Sequence, residues 1–204
     1  MKLLVTALAV LCLAIVPALA DVNNGNINGT TDAWTFNFGY VVSDTFVPGA
    51  TTNIIGFQIG LWEFPGDTVT SLDWSISSAE FGGTVYGSGT ASGGSVTDTF
   101  ISSNQFGYNI DKVSVTGLSV PVTGGVTYWL NLANASVASG DPVYWDENSG
   151  PASASESALG TIPSEAFTIN GSGSGGDMPE PSSILLFGSG VLGLAGVLRR
   201  KINL

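Results

Sequence analysis

The 204-residue sequence predicts an all-β protein: an antiparallel β-sandwich of jelly-roll type with an N-terminal signal helix and a C-terminal transmembrane helix. Through the middle of the chain, short runs rich in Val, Thr and aromatic residues alternate with turns rich in Gly, Ser, Asn and Asp. No stretch between residues 21 and 170 keeps a helical period beyond a turn or two. Both ends of the chain are apolar runs with basic residues beside them.

Residues 1–20, MKLLVTALAVLCLAIVPALA, predict a secretory signal peptide. Lys2 precedes the apolar run, and Ala18-Leu19-Ala20 supplies the small residues of a cleavage site. The exported chain should therefore begin at Asp21. Because Cys12 is the only cysteine, the exported chain forms no disulfide although its compartment is oxidising.

Residues 21–170 predict the β-sandwich, with about nine or ten strands. The first two strands show strict alternation, which is typical of a half-buried strand. Their expected buried faces are Trp34, Phe36, Phe38 and Tyr40 in residues 33–40, and Ile55, Phe57, Ile59 and Leu61 in residues 53–62. Further strands are expected in residues 71–77, 83–89, 95–102, 112–122, 126–135, 142–146 and 165–169.

The charge of the exported part is strongly negative. Lys112 is the only base between residues 21 and 177, against 15 acids, which gives a net charge of −14. Nucleic-acid binding needs a basic surface, so nucleic acid is excluded as a partner and cations are favoured. The chain has no histidine, which excludes Ser-His-Asp and Cys-His catalysis and most zinc and copper sites.

Carboxylates and metals that bind oxygen ligands, such as calcium, are the chemistry that remains. A glycan hydrolase would need two carboxyl groups facing each other across a cleft. A sandwich of this length leaves little chain for a deep groove, so we expect no enzyme, and a secreted glycan hydrolase is the third-ranked hypothesis.

The densest polar and aromatic segment, residues 139–151, contains the candidate metal ligands Asp141, Asp146 and Glu147. Carboxylates and carbonyls of a Gly- and Asn-rich loop could bind calcium, although the spacing is not that of an EF-hand. The alternative interpretation is an ordinary turn–strand–turn with Tyr144 or Trp145 in the core. Apart from this calcium candidate, no cofactor is expected.

Trp62, Tyr144 and Trp145 are the candidate carbohydrate-binding residues. Trp62 falls opposite Ile59 and Leu61 in the alternation, so it could be exposed and stack on a sugar ring. The alternative is that Trp62 packs under a loop.

The C-terminal region predicts a membrane segment. Residues 171–178 form a Gly/Ser linker, and residues 179–204 follow it. Within them, residues 182–198 are 17 uncharged residues, at the short end of the roughly 17 to 25 that span a bilayer. Arg199, Arg200 and Lys201 come next, and such a basic cluster prefers the cytoplasmic side.

Pro179-Glu180-Pro181, the apolar stretch rich in Gly and Leu, and Arg199-Arg200-Lys201 occur in this order at the C-terminus. This arrangement resembles the PEP-CTERM sorting signal, with Met178 where many members have Val. The resemblance implies recognition of Pro179, Glu180 and Pro181 by an exosortase, a transient inner-membrane anchor over residues 182–198, and a stop at residues 199–201. The catalytic residues of processing would belong to the exosortase.

The resulting functional hypothesis is an exported surface or extracellular-matrix protein associated with exopolysaccharide and biofilm. It is first anchored in the inner membrane and then lies at the cell surface or outside the cell. A carbohydrate-binding β-sandwich module is the alternative.

Overall fold

The computed structural model describes residues 21–172. This part of the chain is all-β and consists of two antiparallel sheets, as a β-sandwich requires. The predicted signal peptide, nearly all of the linker, and the sorting region with its apolar segment 182–198 lie outside the described residues. Within residues 21–172, no helix is long and apolar enough to cross a membrane.

Sheet A is built around one long central strand, β4. Its seven strands are β1 (Val22–Asn23), β2 (Ala33–Thr35), β4 (Thr52–Glu63), β7 (Val96–Ser103), β8 (Asn109–Val122), β10 (Tyr144–Asp146) and β13 (Phe167–Gly171). On one side β4 pairs with β8, which in turn pairs with β7. On the other side β4 pairs first with β13 and then, at its C-terminal end, with β10.

Sheet B is a six-stranded sheet in the order β12-β11-β3-β9-β5-β6. Its strands are β3 (Val41–Phe46), β5 (Ser71–Ala79), β6 (Gly82–Ser92), β9 (Tyr128–Ser136), β11 (Ala154–Glu156) and β12 (Gly160–Ile162). A short 3₁₀ turn at Gly93–Ser95 connects β6 to β7 and takes the chain from sheet B to sheet A.

One hydrophobic core lies between the two sheets. Phe57 and Ile59 of β4 are completely buried, as are Leu72 and Ile76 of β5. Alternate residues of a strand point to opposite faces, so these spacings place one apolar face of each sheet against the other. The face predicted for Phe57, Ile59 and Leu61 is therefore confirmed.

Ile55 was expected on the same buried face but is 42% exposed, whereas Ile54 is completely buried. The register between β4 and β8 shifts between Ile54 and Gly56. Such a β-bulge adds one residue to one strand and reverses the alternation beyond it. The prediction for Ile55 is wrong because periodicity alone cannot locate a bulge.

The strand predicted over residues 33–40 is also shorter than expected. β2 ends at Thr35, and a turn follows in which Phe38 has a positive φ of 56°. Phe36 is completely buried, but Phe38 is 63% exposed and Tyr40 is exposed as well. The continuous face from Trp34 to Tyr40 is therefore interrupted, and the chain changes sheet before β3.

Four short strands, β1, β3, β11 and β12, were not anticipated. In β3, Ser43 and Asp44 are buried together with Val42, so polar and apolar positions do not alternate by exposure. A pattern of exposed polar residues is the signal that predicts a half-buried strand. The two antiparallel sheets are observed, whereas the jelly-roll connectivity of their strands stays a prediction.

Candidate functional site

Three carboxylates meet on the inner face of sheet A. Glu63 ends β4, Asp98 lies on β7 and Asp111 lies on β8. Asp111 is the register partner of Leu61, and Asp98 is the partner of Val113. Leu61 and Val113 are core residues, so their partners, and Glu63 two residues after Leu61, share the inward face.

These three residues are here called the inner acidic cluster. One carboxylate oxygen from each lies within 4.8 Å of the other two. Glu63 is completely buried, Asp111 is 4% exposed and Asp98 is half-buried. No other group of three or more acidic, His or Cys side chains meets this distance criterion within residues 21–172.

Few hydrogen-bond donors reach the inner acidic cluster. Asp98 Oδ2 accepts a hydrogen bond from the Val69 backbone N–H at 2.8 Å. Both oxygens of Glu63, Oδ1 of Asp98 and Oδ2 of Asp111 are buried without a hydrogen-bond partner. Native proteins rarely leave buried polar atoms unpaired, so this concentration points to a missing counter-charge.

The electrostatics of the inner acidic cluster favour a bound cation or a bound proton. Burial raises the pKa of Glu63, and the negative charges of Asp98 and Asp111 raise it further. Burial also raises the pKa of Asp98. The pKa of Asp111 rises to about 6, first through burial and then through the charge of Asp98.

Asp146, one of the predicted metal ligands, lies on the other face of sheet A and has protein donors. Its Oδ2 accepts the Asn28 backbone N–H at 2.7 Å, and its Oδ1 accepts the Gly29 N–H at 3.0 Å. Trp62 Nε1 donates to the same Oδ1 at 2.6 Å. The pKa of Asp146 is raised by burial, and these hydrogen bonds lower it in part.

The other two predicted metal ligands point elsewhere. Glu147 Oε2 accepts a hydrogen bond from Trp34 Nε1 at 3.2 Å. Trp34, which binds Glu147, pairs across the strands with Trp145, and Trp62, which binds Asp146, pairs with Tyr144. Because Tyr144 and Trp145 are consecutive residues, their side chains and those of their partners lie on opposite faces of the sheet. Glu147 and Asp146 therefore contact opposite faces. Asp141 is half-buried in the loop before β10. Within residues 21–172, the carboxylates of Asp141, Asp146 and Glu147 therefore do not lie within 4.8 Å of one another, as those of the inner acidic cluster do.

A further buried pair joins Asp44 of β3 to Glu165. Asp44 accepts hydrogen bonds from the backbone N–H groups of Thr45 and Glu165 and from the side chains of Asn24 and Ser164. Glu165 is completely buried, and neither of its carboxylate oxygens has a partner. Burial raises the pKa of Glu165 well above its usual value, and the charge of Asp44 adds to this.

The predicted carbohydrate residues are mostly covered. Trp145 is completely buried, donates to the Ala166 carbonyl at 2.9 Å and packs on Phe167. Trp62 is 5% exposed because Phe106 stacks on it at a centroid distance of 5.7 Å. Of the two interpretations of Trp62, packing under a loop is therefore confirmed, and exposure for stacking on a sugar is wrong.

Tyr144 is half-buried and belongs to an aromatic cluster that the sequence did not reveal. Its ring meets Tyr108 edge-on at 5.6 Å, and Tyr108 contacts both Trp62 and Phe64. Phe106 is 54% exposed and Phe64 is 37% exposed. Accessible aromatic surface at this end of sheet A thus belongs to residues of two turns rather than to the tryptophans.

Signals for the inner acidic cluster are present in the sequence but spread over three strands. Asp111 precedes Val113 and Val115 at inward positions, so an acid on an apolar face could have been noticed. The meeting of the three carboxylates depends on the register of β4, β7 and β8, which a local pattern does not contain.

The comparison with family models identifies the PEP-CTERM protein-sorting motif over residues 179–201. The match contains Pro179, Glu180 and Pro181 and extends to Lys201. A comparison with curated proteins finds no significant match.

Proposed function

We propose that the β-sandwich is a non-enzymatic component of the extracellular polysaccharide matrix. The chain carries a PEP-CTERM protein-sorting motif, which marks an exported protein that is sorted by an exosortase-type system. The motif is the observation that carries this proposal. The protein is first held in the inner membrane by residues 182–198 and is then processed and presented at the cell surface or outside the cell.

The exosortase is the expected processing partner. Pro179-Glu180-Pro181 follows a stretch rich in Gly and Ser, a composition typical of linkers. Residues 199–201 are basic and favour the cytoplasmic side, so the β-sandwich lies on the opposite side of the membrane.

The described residues support a non-enzymatic role. A glycosidase needs two carboxyl groups that a substrate in a cleft can reach. In the inner acidic cluster, Glu63 is completely buried and Asp111 nearly so. These carboxylates face the interior between the sheets, where a sugar chain has no access.

The charge of the exported part restricts which polysaccharide the protein can associate with. An exported part with 15 acids and one lysine repels anionic polymers unless cations lie between them. We therefore expect contact with neutral polysaccharide, or with anionic polysaccharide through divalent cations.

Carbohydrate binding through the aromatic cluster is the second candidate function. Phe64, Phe106 and Tyr144 offer aromatic surface beside Tyr108. Sugar recognition uses such apolar ring faces together with a few polar groups. A secreted glycan hydrolase ranks below both.

The sorting proposal predicts the fate of a Glu180→Ala variant. Without the central carboxylate of the motif, the precursor should accumulate in the membrane at full length, and little should reach the surface or medium. Fractionation followed by mass determination measures this. Asp177→Ala, a matched loss of one acid three residues earlier, should be processed like the wild type. Normal processing of Glu180→Ala would refute the role of this motif.

The carbohydrate alternative predicts that the protein is retained on a glycan array or on matrix polysaccharide. A Phe106→Ala variant should bind about tenfold more weakly or worse if a sugar ring stacks on Phe106 as strongly as a nucleobase stacks on an aromatic side chain, which contributes about 1–3 kcal/mol. Phe81→Ala, which removes another exposed phenylalanine, in the β5–β6 turn of sheet B, is the control. Equal retention of both variants would leave the matrix role without direct sugar recognition by this aromatic cluster.

A further inference from the structure

We propose that Glu63, Asp98 and Asp111 bind a calcium ion that joins β4, β7 and β8 on the inner face of sheet A. This site goes beyond the sorting and matrix functions, and it differs from the loop that the sequence suggested. Each strand supplies one carboxylate, and one oxygen of each lies within 4.8 Å of the others.

The first argument is the set of unpaired oxygens. Glu63 is completely buried, yet neither of its carboxylate oxygens receives a hydrogen bond from an N–H or hydroxyl group, and its side-chain polar contact is with the carboxyl group of Asp98. One oxygen of Asp98 and one of Asp111 are in the same condition. A buried carboxylate without a donor is costly unless it is neutralised, and a metal ion bound by all three residues would satisfy the four oxygens together.

The second argument is that the described chain offers no cation of its own. Residues 21–172 contain no arginine or histidine, and Lys112 is their only lysine. Lys112 directly follows Asp111 in β8, so its side chain projects from the opposite face of the sheet. The positive charge for the inner acidic cluster must therefore come from solution.

The ligand chemistry selects calcium. The donors are carboxylate oxygens without nitrogen or sulfur, which suits a hard cation. Calcium–oxygen distances are about 2.3–2.6 Å, so two ligands of one ion can be about 5 Å apart, and the spacing in the cluster falls within this limit. Magnesium keeps several of its waters, and the burial of Glu63 and Asp111 leaves little room for them.

The ion would have a structural role. β7 is an edge strand of sheet A, and several of its residues, including Phe100 and Ile101, are exposed. Asp98 also accepts the Val69 N–H, so it already links β7 to the segment between β4 and β5. Calcium would fasten this edge strand to the central strand of the sheet in an exported protein without disulfides.

The competing explanation is a shared proton. The carboxyl groups of Glu63 and Asp98 are within hydrogen-bonding contact, so a protonated Glu63 could donate to Asp98 and satisfy part of the cluster without metal. The two explanations differ in their response to added calcium, and the experiment is designed around that difference.

The test uses the full-length chain in a mild non-ionic detergent, stripped of metal with EDTA and dialysed. Thermal unfolding is followed by near-ultraviolet circular dichroism with calcium or magnesium at constant ionic strength, and calcium binding is measured by calorimetry. The variants are Glu63→Gln and Asp111→Asn, with Glu80→Gln as the matched control because Glu80 is exposed and outside the cluster. Asp146→Asn tests the loop suggested by the sequence.

Calcium should raise the melting temperature of the wild type by about 5–10 °C at a hundred times its Kd, and magnesium should raise it less. Glu80→Gln and Asp146→Asn should keep this shift. Glu63→Gln and Asp111→Asn should lose it and bind calcium at least a hundredfold more weakly. In EDTA, Glu63→Gln should melt no lower than the wild type, which shows that the variant is folded.

Three results would overturn the calcium site. The wild type could show no calcium shift while Glu63→Gln is stabilised, which is the behaviour of a shared proton. The shift could be equal for calcium and magnesium, which indicates diffuse screening. It could also persist in Glu63→Gln, which places the ion elsewhere.

Discussion

Two consecutive residues at the end of β4 face opposite sides of sheet A and meet two different acidic environments. Trp62 faces outward and donates its indole N–H to Asp146, which also accepts the N–H groups of Asn28 and Gly29. Glu63 faces inward and meets Asp98 and Asp111, with no donor to its own oxygens. Both regions are buried and both are acidic.

The difference lies in where the compensating groups come from. The N-terminal segment before β2 covers the outer face and brings two backbone N–H groups to Asp146, so this carboxylate is satisfied by the chain itself. Within residues 21–172, the backbone N–H groups of Val69 and Thr99 interact with Asp98, whereas the oxygens of Glu63 receive no N–H or hydroxyl donor. A buried acid can therefore either be stabilised by hydrogen bonds from the protein or require an ion from solution. The number of hydrogen-bond donors around the carboxylate distinguishes the two cases.

The largest change in stability is expected when Asp146 is replaced by alanine. Asp146→Ala leaves the indole N–H of Trp62 and two backbone N–H groups without their acceptor. Each unsatisfied buried donor costs about 1–3 kcal/mol, so the free energy of unfolding should fall by about 3–5 kcal/mol. Urea denaturation followed by tryptophan fluorescence measures the change.

Two variants control this prediction. Asp146→Asn keeps a carbonyl oxygen as acceptor and should lose clearly less stability than Asp146→Ala. Glu63→Gln, on the adjacent inward position, should not be destabilised in EDTA, because no donor depends on its oxygens. If Asp146→Ala lowers the free energy of unfolding by less than about 1 kcal/mol, or if Glu63→Gln lowers it as much as Asp146→Ala does, the protein's own donors do not distinguish the two regions.

The fold was predictable from the sequence wherever one face of a strand is apolar and the other is polar. Phe57, Ile59 and Leu61 follow this rule and were assigned to the core correctly. Ile55 does not follow this rule because a bulge inserts a residue into β4. The sequence does not predict β3 because its polar residues Ser43 and Asp44 are buried and form hydrogen bonds inside the protein. Alternation of polar and apolar residues therefore identifies strands that are buried on one face, and it misses strands that are buried on both.

The candidate sites were less predictable for a related reason. The density of acids in residues 139–151 suggested a metal loop, but the donors to Asp146 come from Asn28, Gly29 and Trp62, far away in the chain. The inner acidic cluster likewise joins residues 63, 98 and 111 through strand register. Residues 179–201 were recognised from sequence because a sorting signal is read as a linear motif.

The second prediction concerns Asp44 and Glu165, which combine both environments in one pair. Asp44 has four donors and Glu165 has none. Burial nevertheless raises the pKa of Asp44 to about 6, and it raises that of Glu165 well above its usual value, with the charge of Asp44 adding to the effect. Both carboxyls therefore bind a proton more tightly in the folded than in the unfolded chain.

A raised pKa fixes the sign of the pH dependence. Below about pH 3 both groups are protonated in both states, and their full contribution to stability is present. As the pH rises through the folded-state pKa, ionising them inside the protein is costly, so the free energy of unfolding should fall. For Asp44 alone, the shift corresponds to about 2–3 kcal/mol lost between pH 4 and pH 7.

Glu165→Gln tests this buried acid directly, because glutamine resembles the protonated acid and cannot ionise. In EDTA, its stability relative to the wild type should increase steadily from pH 4 to pH 8, since the wild type alone must then keep a carboxyl protonated or bury its charge. Glu80→Gln, at an exposed position, should follow the wild type across the same range. A difference between Glu165→Gln and wild type that stays constant with pH would mean that folding does not raise the pKa of Glu165. In that case solvent or a cation reaches Glu165, and the pair belongs with the inner acidic cluster rather than with Asp146.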